Sequence, residues 1–271
     1  MLVAAGAHAA WNLLAKQAQG GPAFVALYTI VSVVLWAPIA LAYAAVAGGI
    51  TAAGIGFMAG SGVLHAGYFL ALQHAYSVGD LSLVYPLARG TGPVLSVAAA
   101  VLVLGERPGP LGLAGGLLVA AAVLLLAAPS GRTTGRGAAV LTGAFIAAYT
   151  VCDAHAVKAL HQPALPYFWG AEVVQAGLLV PIALRDRTAL RASAGGDRRG
   201  ILGVALLSPL SYVLILFALT KAPVSLVAPA REGSVVLGAF LGTRVLGEGH
   251  TRRRVIAAVA IALGIVGLAV G

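Results

Sequence analysis

The chain has 271 residues, 60% of them hydrophobic and only 9% charged, with a mean hydropathy of +0.98. A soluble domain carries roughly 25% charged residues, so a soluble fold is excluded and a membrane protein is implied. The formal net charge of +9 does not call for nucleic acid, because the Lys and Arg residues fall between apolar runs, where they orient a chain in a bilayer. The single cysteine, Cys152, excludes an internal disulfide and a cysteine-cluster metal site.

A bilayer core needs about 20 apolar residues per helix, and runs of that order fill the chain. Helix one is expected over Leu2–Gln17, as a spanning helix and not a cleaved signal, with Gly20, Gly21 and Pro22 breaking it. Helix two covers Ala23–Ala47 and closes at Gly48 and Gly49. Helix three is Ala53–Tyr76, rich in glycine; helix four is Leu81–Leu104, ending in a tight turn at Glu106, Arg107 and Pro108. Helix five is Leu111–Ala128, and a polar hinge follows from Pro129 to Arg136. Helices six to ten are expected at Gly137–Leu160, Leu165–Leu184, Ile201–Thr220, Val224–Leu246 and Val255–Val270, with Arg185–Arg199 a solvated loop.

This is an all-α polytopic fold of ten transmembrane helices in two five-helix repeats, residues 1–128 and 137–271, joined by a linker at 129–136. An odd number of helices per repeat inverts the second copy in the membrane, the plan of many secondary transporters. Of the 17 basic residues, Lys16, Arg132, Arg136, Arg185, Arg187, Arg191, Arg198, Arg199, Arg244, Arg252, Arg253 and Arg254 lie in connections after odd-numbered helices. Only Arg107, Lys158 and Lys221 lie in the others. The positive-inside rule makes the odd connections cytoplasmic and sets both termini outside.

One stretch occurs twice. Ser82, Leu83, Val84, Pro86 and Gly90 recur as Ser225, Leu226, Val227, Pro229 and Gly233 at an offset of 143. Arg89, Leu104, Gly105 and Glu106 recur as Arg231, Leu246, Gly247 and Glu248 at 142. Arg89 and Arg231 lie too deep in their helices to reach water easily, so each is expected to face a cavity or a partner. Pro86, Gly90, Gly92 and Pro93 favour a bent or interrupted helix, and Pro229 with Gly233 a milder one. Two guanidinium forks at matching positions suit an anionic group such as carboxylate or phosphate. The competing expectation is a structural kink with the arginine bonded to freed carbonyls.

The intramembrane acids are Asp153, Glu172 and Glu232, each a counter-charge for an arginine or a proton carrier. Glu172 shares a helical face with Trp169 and Gln175, a stripe suited to a cavity wall, and is the better proton carrier; Asp153 stacks in the same manner with Tyr149. Glu232 is about 100° around from Arg231 on an α-helix, so the two are not expected to point into one cavity. Helix one places His8, Trp11, Asn12 and Lys16 on one side, and helix three offers His65, Tyr68 and Gln73. Tyr85 precedes Arg89 by one turn. A lone intramembrane histidine is more often a hydrogen-bonded packing residue than a ligand, and Tyr212 is expected to pack. Glu106 and Glu248 close their helices in matched Leu-Gly-Glu turns and are assigned to capping.

These features resemble the EamA family of the drug/metabolite transporter superfamily: two five-helix halves, each with a proline-bearing helix, a Leu-Gly-Glu turn and a glycine-rich last helix. The segments Tyr85–Pro93, His8–Lys16 and Ala148–Val157 are similar to a subgroup associated with phosphonate utilisation. The resemblance implies a secondary transporter with a central cavity and no ATP-binding part or cofactor. Characterised members commonly keep both termini in the cytoplasm, the reverse of the charge pattern here.

The expected function is an alternating-access, proton-linked carrier of a small polar or amphipathic metabolite in the bacterial inner membrane. Its partners are that substrate and the lipid bilayer, with no nucleic acid, and a monomer would suffice. Arg89, Arg231, Trp11, Asn12, His65, Tyr68, Tyr85, Tyr149 and Trp169 are the candidate substrate contacts, with Glu172, Asp153 and Glu232 for proton coupling or counter-charge. A flippase for a lipid headgroup or lipid-linked sugar is the alternative. An intramembrane enzyme would need a nucleophile beside a base, such as Ser61 or Ser208 converging with a histidine.

Overall fold

Apolar runs become helices along the whole described chain. In the computed structural model residues 2–18, 21–78, 81–126, 134–234 and 252–270 are described, and no strand occurs among them. The helices are α1 (Leu2–Ala18), α2 (Gly21–Val46), α3 (Ala52–Val78), α4 (Leu81–Val103), α5 (Pro110–Leu126) and α6 (Arg136–Ala154). They continue with α7 (Ala164–Ala183), α8 (Arg187–Gly196), α9 (Arg198–Leu219), α10 (Val224–Ala230) and α11 (Arg252–Val270). Five helical stretches, Gly21–Val46, Ala52–Ala75, Arg136–Ala159, Ala164–Ala183 and Arg198–Leu219, are long and apolar enough to cross a bilayer. Leu2–Ala15, Leu87–Val103, Pro110–Leu125 and Ile256–Leu268 are shorter apolar helices.

Most expected boundaries hold to within a turn, and three differ. The loop expected at Arg185–Arg199 contains the exposed helix α8, because Asp186 accepts from Ala189 N at 2.9 Å and Asp197 from Gly200 N at 2.9 Å, capping α8 and α9 in succession. Helix six does not stay α-helical to Leu160. After Ala154 it widens into a π-helical turn, His155–Ala159, closed by Leu160 N to His155 O at 3.1 Å. Helix four carries no interruption despite its prolines and glycines, and it is the second copy that stops, at Ala230. Beyond Ser234 the expected helix nine lies outside the described residues, as do the second Leu-Gly-Glu turn with Glu248 and linker residues 129–133.

The described helices pack as two units. One comprises residues 67–151 and 221–271, the other 2–66 and 152–220. In the first, α5 and α11 meet backbone to backbone: a Cβ added to Gly115 would lie 2.5 Å from Gly264 O, and one on Gly264 2.7 Å from Gly115 O. Glycine permits that approach, the small-residue device of membrane helix pairs, and Val119, Val123, Ile261 and Leu268 fill the seam beside it. Gly92 similarly admits Ile146, bringing α6 against α4.

In the second unit α7 packs against α2 and α3. Gly62 brings α3 so near that an added Cβ would stand 2.6 Å from Ala171 O. Pro209 in α9 cannot donate to Ala205 O four residues earlier, and Trp36 Nε1 of α2 donates to that carbonyl at 3.1 Å. Gln162 closes the π-helical end: its Oε1 accepts from Thr51 N at 3.1 Å, and its Nε2 donates to Leu160 O at 2.6 Å.

Candidate functional site

In the first unit three charged side chains are gathered and buried. Arg89 is 6% exposed, Arg231 5% and Glu232 0%. Arg89 Nε lies 3.2 Å from Glu232 Oε2, and Arg231 Nε lies 3.7 Å from Glu232 Oε1. Neither approach has hydrogen-bond alignment, so the contacts are ion pairs of proximity. After Ala230 the backbone tightens from Arg231 N to Val227 O, four residues back, to Glu232 N to Pro229 O and Ser234 N to Arg231 O, three back. The expectation that Arg231 and Glu232 diverge is corrected: both side chains enter one cluster.

The first Leu-Gly-Glu turn has a definite task. Gly105 takes φ +67 and Glu106 N reaches back to Ala100 O at 3.1 Å, the backbone pattern of a glycine helix stop. The Glu106 carboxylate then accepts from Val224 N at 2.7 Å and Ser225 N at 2.9 Å. It caps α10, more than a hundred residues later, and not the helix that follows it. Tyr68 and Tyr149 also belong to this unit and meet edge to face at 5.9 Å. The Tyr85 side chain lies outside the described residues.

The second unit holds the other two acids, each among neutral groups. Asp153, 0% exposed, accepts from Tyr167 Oη at 2.8 Å on Oδ1 and from Tyr212 Oη at 2.7 Å on Oδ2. Tyr149 therefore does not define its surroundings; α7 and α9 supply the donors. Tyr212, expected to pack, instead donates to Asp153, and Tyr167 joins it without a role assigned from the sequence. One signal existed for Tyr167: it lies seven residues after Leu160 and Asp153 seven before, matched positions in a helical hairpin. Nothing in the sequence marks Tyr212.

Glu172, 5% exposed, accepts from Ser32 Oγ at 2.8 Å. One turn earlier, Trp169 Nε1 donates to Val33 O at 2.9 Å. The Trp169, Glu172 and Gln175 stripe is thus a seam against α2, not the open wall expected of it, and Gln175 is buried with it.

His65 rests on its own helix. Its Nδ1 is 2.9 Å from Ser61 O and 3.3 Å from Ser61 Oγ. A carbonyl only accepts, so Nδ1 carries the proton and offers Ser61 no base; the contact does not make a nucleophile. The His65 ring stands edge-on to Tyr212 at 5.3 Å and Phe168 at 5.9 Å. In α1, His8 and Trp11 meet edge to face at 4.9 Å, and Asn12 Nδ2 donates back to His8 O at 2.7 Å. Trp11 Nε1 is buried with no hydrogen-bond partner among the described residues. No group of three His, Cys, Asp or Glu side chains suited to a metal ion occurs among the described residues.

The candidates therefore fall into two sets. Arg89, Arg231 and Glu232 converge, with Tyr68 and Tyr149 paired in the same unit. Asp153, His65, Trp169, Glu172, Trp11 and Asn12 belong to the second unit, where the first two join through Tyr212.

Comparison with known proteins agrees with this architecture. A solved structure described only as the crystal structure of a protein has a TM-score of 0.74 at 18% identity, with 99% of this chain and 97% of that chain covered. At that identity the likeness concerns the fold alone. No curated protein matches the chain. The family model for the EamA-like transporter family matches residues 133–270, half of the chain. The chain is an all-helical integral membrane protein of the ten-helix drug/metabolite transporter fold and belongs to the EamA-like transporter family.

Proposed function

We propose that this chain is a proton-linked secondary carrier that moves a small polar or amphipathic metabolite bearing an anionic group, by alternating access, across the bacterial inner membrane. The observation that carries the reading is the gathering of Arg89 and Arg231, from matched positions of the two repeats, on the single carboxylate of Glu232. Bringing charge into an apolar protein is costly, and intramembrane charges mark substrate or ion paths. Guanidinium forks recognise carboxylate and phosphate alike. Glu232 occupies the place of a substrate anion and keeps the arginines compensated when substrate is absent. Phosphonates belong among the candidates through the likeness of Tyr85–Pro93 to the phosphonate-associated subgroup. The orientation proposed is both termini outside, and a reporter fused after Gly271 that is active only in the cytoplasm would overturn it.

The test is a thermal-shift screen of the purified protein with amino acids, organophosphates, phosphonates and cationic drugs, repeated on Arg89→Ala and Arg231→Ala. An organic anion should stabilise the unaltered protein and lose that effect in both variants. A best ligand indifferent to both substitutions makes the arginines structural and ends the anion reading. A phospholipid headgroup that outperforms every free metabolite moves the assignment to a flippase.

A further inference from the structure

Burial poses the same problem for three described acids, and their partners divide them. A proton added to Glu232 would leave two guanidinium groups without their shared carboxylate. On Asp153 each oxygen already accepts a phenolic hydroxyl, so a proton on either one weakens a hydrogen bond, because the hydroxyl oxygen of a neutral acid is a poorer acceptor. Among the described residues Glu172 has a single donor, Ser32 Oγ, on Oε2 alone. A proton can add to Oε1 while Oε2, now the carbonyl oxygen of a neutral acid, keeps the serine hydrogen bond. No donor is lost and no charge is stranded.

The elements packed around Glu172 supply no counter-charge. α2 carries no charged residue, and its titratable groups are Tyr28 and Tyr43. α3 brings His65 within this unit, turned to Ser61 and the rings of Phe168 and Tyr212. α9 brings Tyr212, engaged with Asp153, and the exposed Arg198 and Arg199 at its start. On α7 itself Tyr167 is bonded to Asp153. The Glu172 carboxyl is buried and meets the Ser32 hydroxyl, and it makes no ion pair among the described residues. An isolated carboxylate in such a place is costly, and taking up a proton removes the cost.

From this geometry we infer that Glu172 is a proton-binding site, seated at the α2–α7 seam with Ser32 as its fixed donor and Trp169 one turn away. Ser32 has an alternative acceptor in the carbonyl four residues back on its own helix, as Thr29 uses Val25 O at 2.8 Å. The protonation state of Glu172 therefore sets how firmly Ser32 ties α2 to α7. The inference rests on the proton linkage proposed above, and its test needs no substrate.

The test is pH-difference infrared spectroscopy on the full chain in lipid nanodiscs, with a step across neutrality. The expected result is a protonated-carboxyl C=O band on the acid side. That band should move on labelling glutamate carboxyls with 13C, vanish in Glu172→Gln, and persist in Asp153→Asn and Glu232→Gln. In Ser32→Ala the band should shift in frequency without being lost. Should Glu172→Gln fail to fold, the glutamate label and Ser32→Ala decide. No carboxyl band, a band that ignores the glutamate label, or one that survives in Glu172→Gln overturns the site. Gradient-driven uptake by a protein whose Glu172 does not titrate sinks the site and spares the carrier. A titrating Glu172 in a protein whose uptake ignores the gradient does the reverse.

Discussion

Glu232 and Asp153 are both fully buried carboxylates, in different units, and they are accommodated by opposite means. Glu232 has two guanidinium groups within 4 Å and no hydrogen bond to either of its oxygens among the described residues. Asp153 has a hydrogen bond on each oxygen, from tyrosines, and no ion pair among the described residues. Directional bonds hold one arrangement; charge held by proximity exchanges its partner more readily. The contrast matches the proposed roles, anion exchange in the first unit and, in the second, a framework in which a less supported acid, Glu172, meets the Ser32 hydroxyl.

Substitutions break this contrast in order of size. Glu232→Gln strips the shared carboxylate from two buried arginines and should cost about 3–5 kcal/mol, read as a fall in thermal midpoint. Combining it with Arg231→Gln should recover part of that loss, since one of the two guanidinium groups that share the carboxylate is then gone. Tyr167→Phe and Tyr212→Phe each remove a bond to a charged acceptor, worth about 1.5–3 kcal/mol. A double-mutant cycle on the pair should show coupling, because either phenol alone must then support Asp153. Ser32→Ala should cost about 1 kcal/mol, less than either tyrosine. A larger loss there than at Tyr167 would mean that Glu172 depends on its serine more than Asp153 does on a tyrosine, against the contrast drawn. Glu106→Gln, which keeps an acceptor at the α10 amides but removes its charge, should be the smallest, about 0.3–1 kcal/mol.

The helices were largely legible in the sequence, because membrane spans declare themselves by length and hydropathy. The repeat led to the arginine cluster by the same route: Arg89 and Arg231 stand out as charges within apolar runs. Their meeting with Glu232 was not legible, since adjacent residues diverge by about 100° on an α-helix and the reach of long side chains back to one point carries no spacing signal. Glu172 reads as a candidate proton carrier from its helical face, yet the same face is a contact with α2. Amphipathic spacing says that a side of a helix is special and not what lies against it. The hydrogen-bonding roles of Ser32 and Tyr212 were not legible, because hydroxyls are common at membrane helix contacts and carry no spacing signal. The π-helical turn at His155–Ala159 has no marker residue such as proline or glycine within it.

The proposed anion site at Arg89 and Arg231 and the proposed proton site at Glu172 are tested together by one measurement. Proteoliposomes holding the unaltered chain, Arg231→Ala or Glu172→Gln are loaded with the best anion from the screen, and uptake is followed with and without an imposed pH gradient. The unaltered chain should accumulate the anion only with the gradient. Arg231→Ala should neither accumulate nor exchange it, and Glu172→Gln should exchange it across the membrane without accumulating it. Gradient-driven accumulation that survives both substitutions would contradict the account.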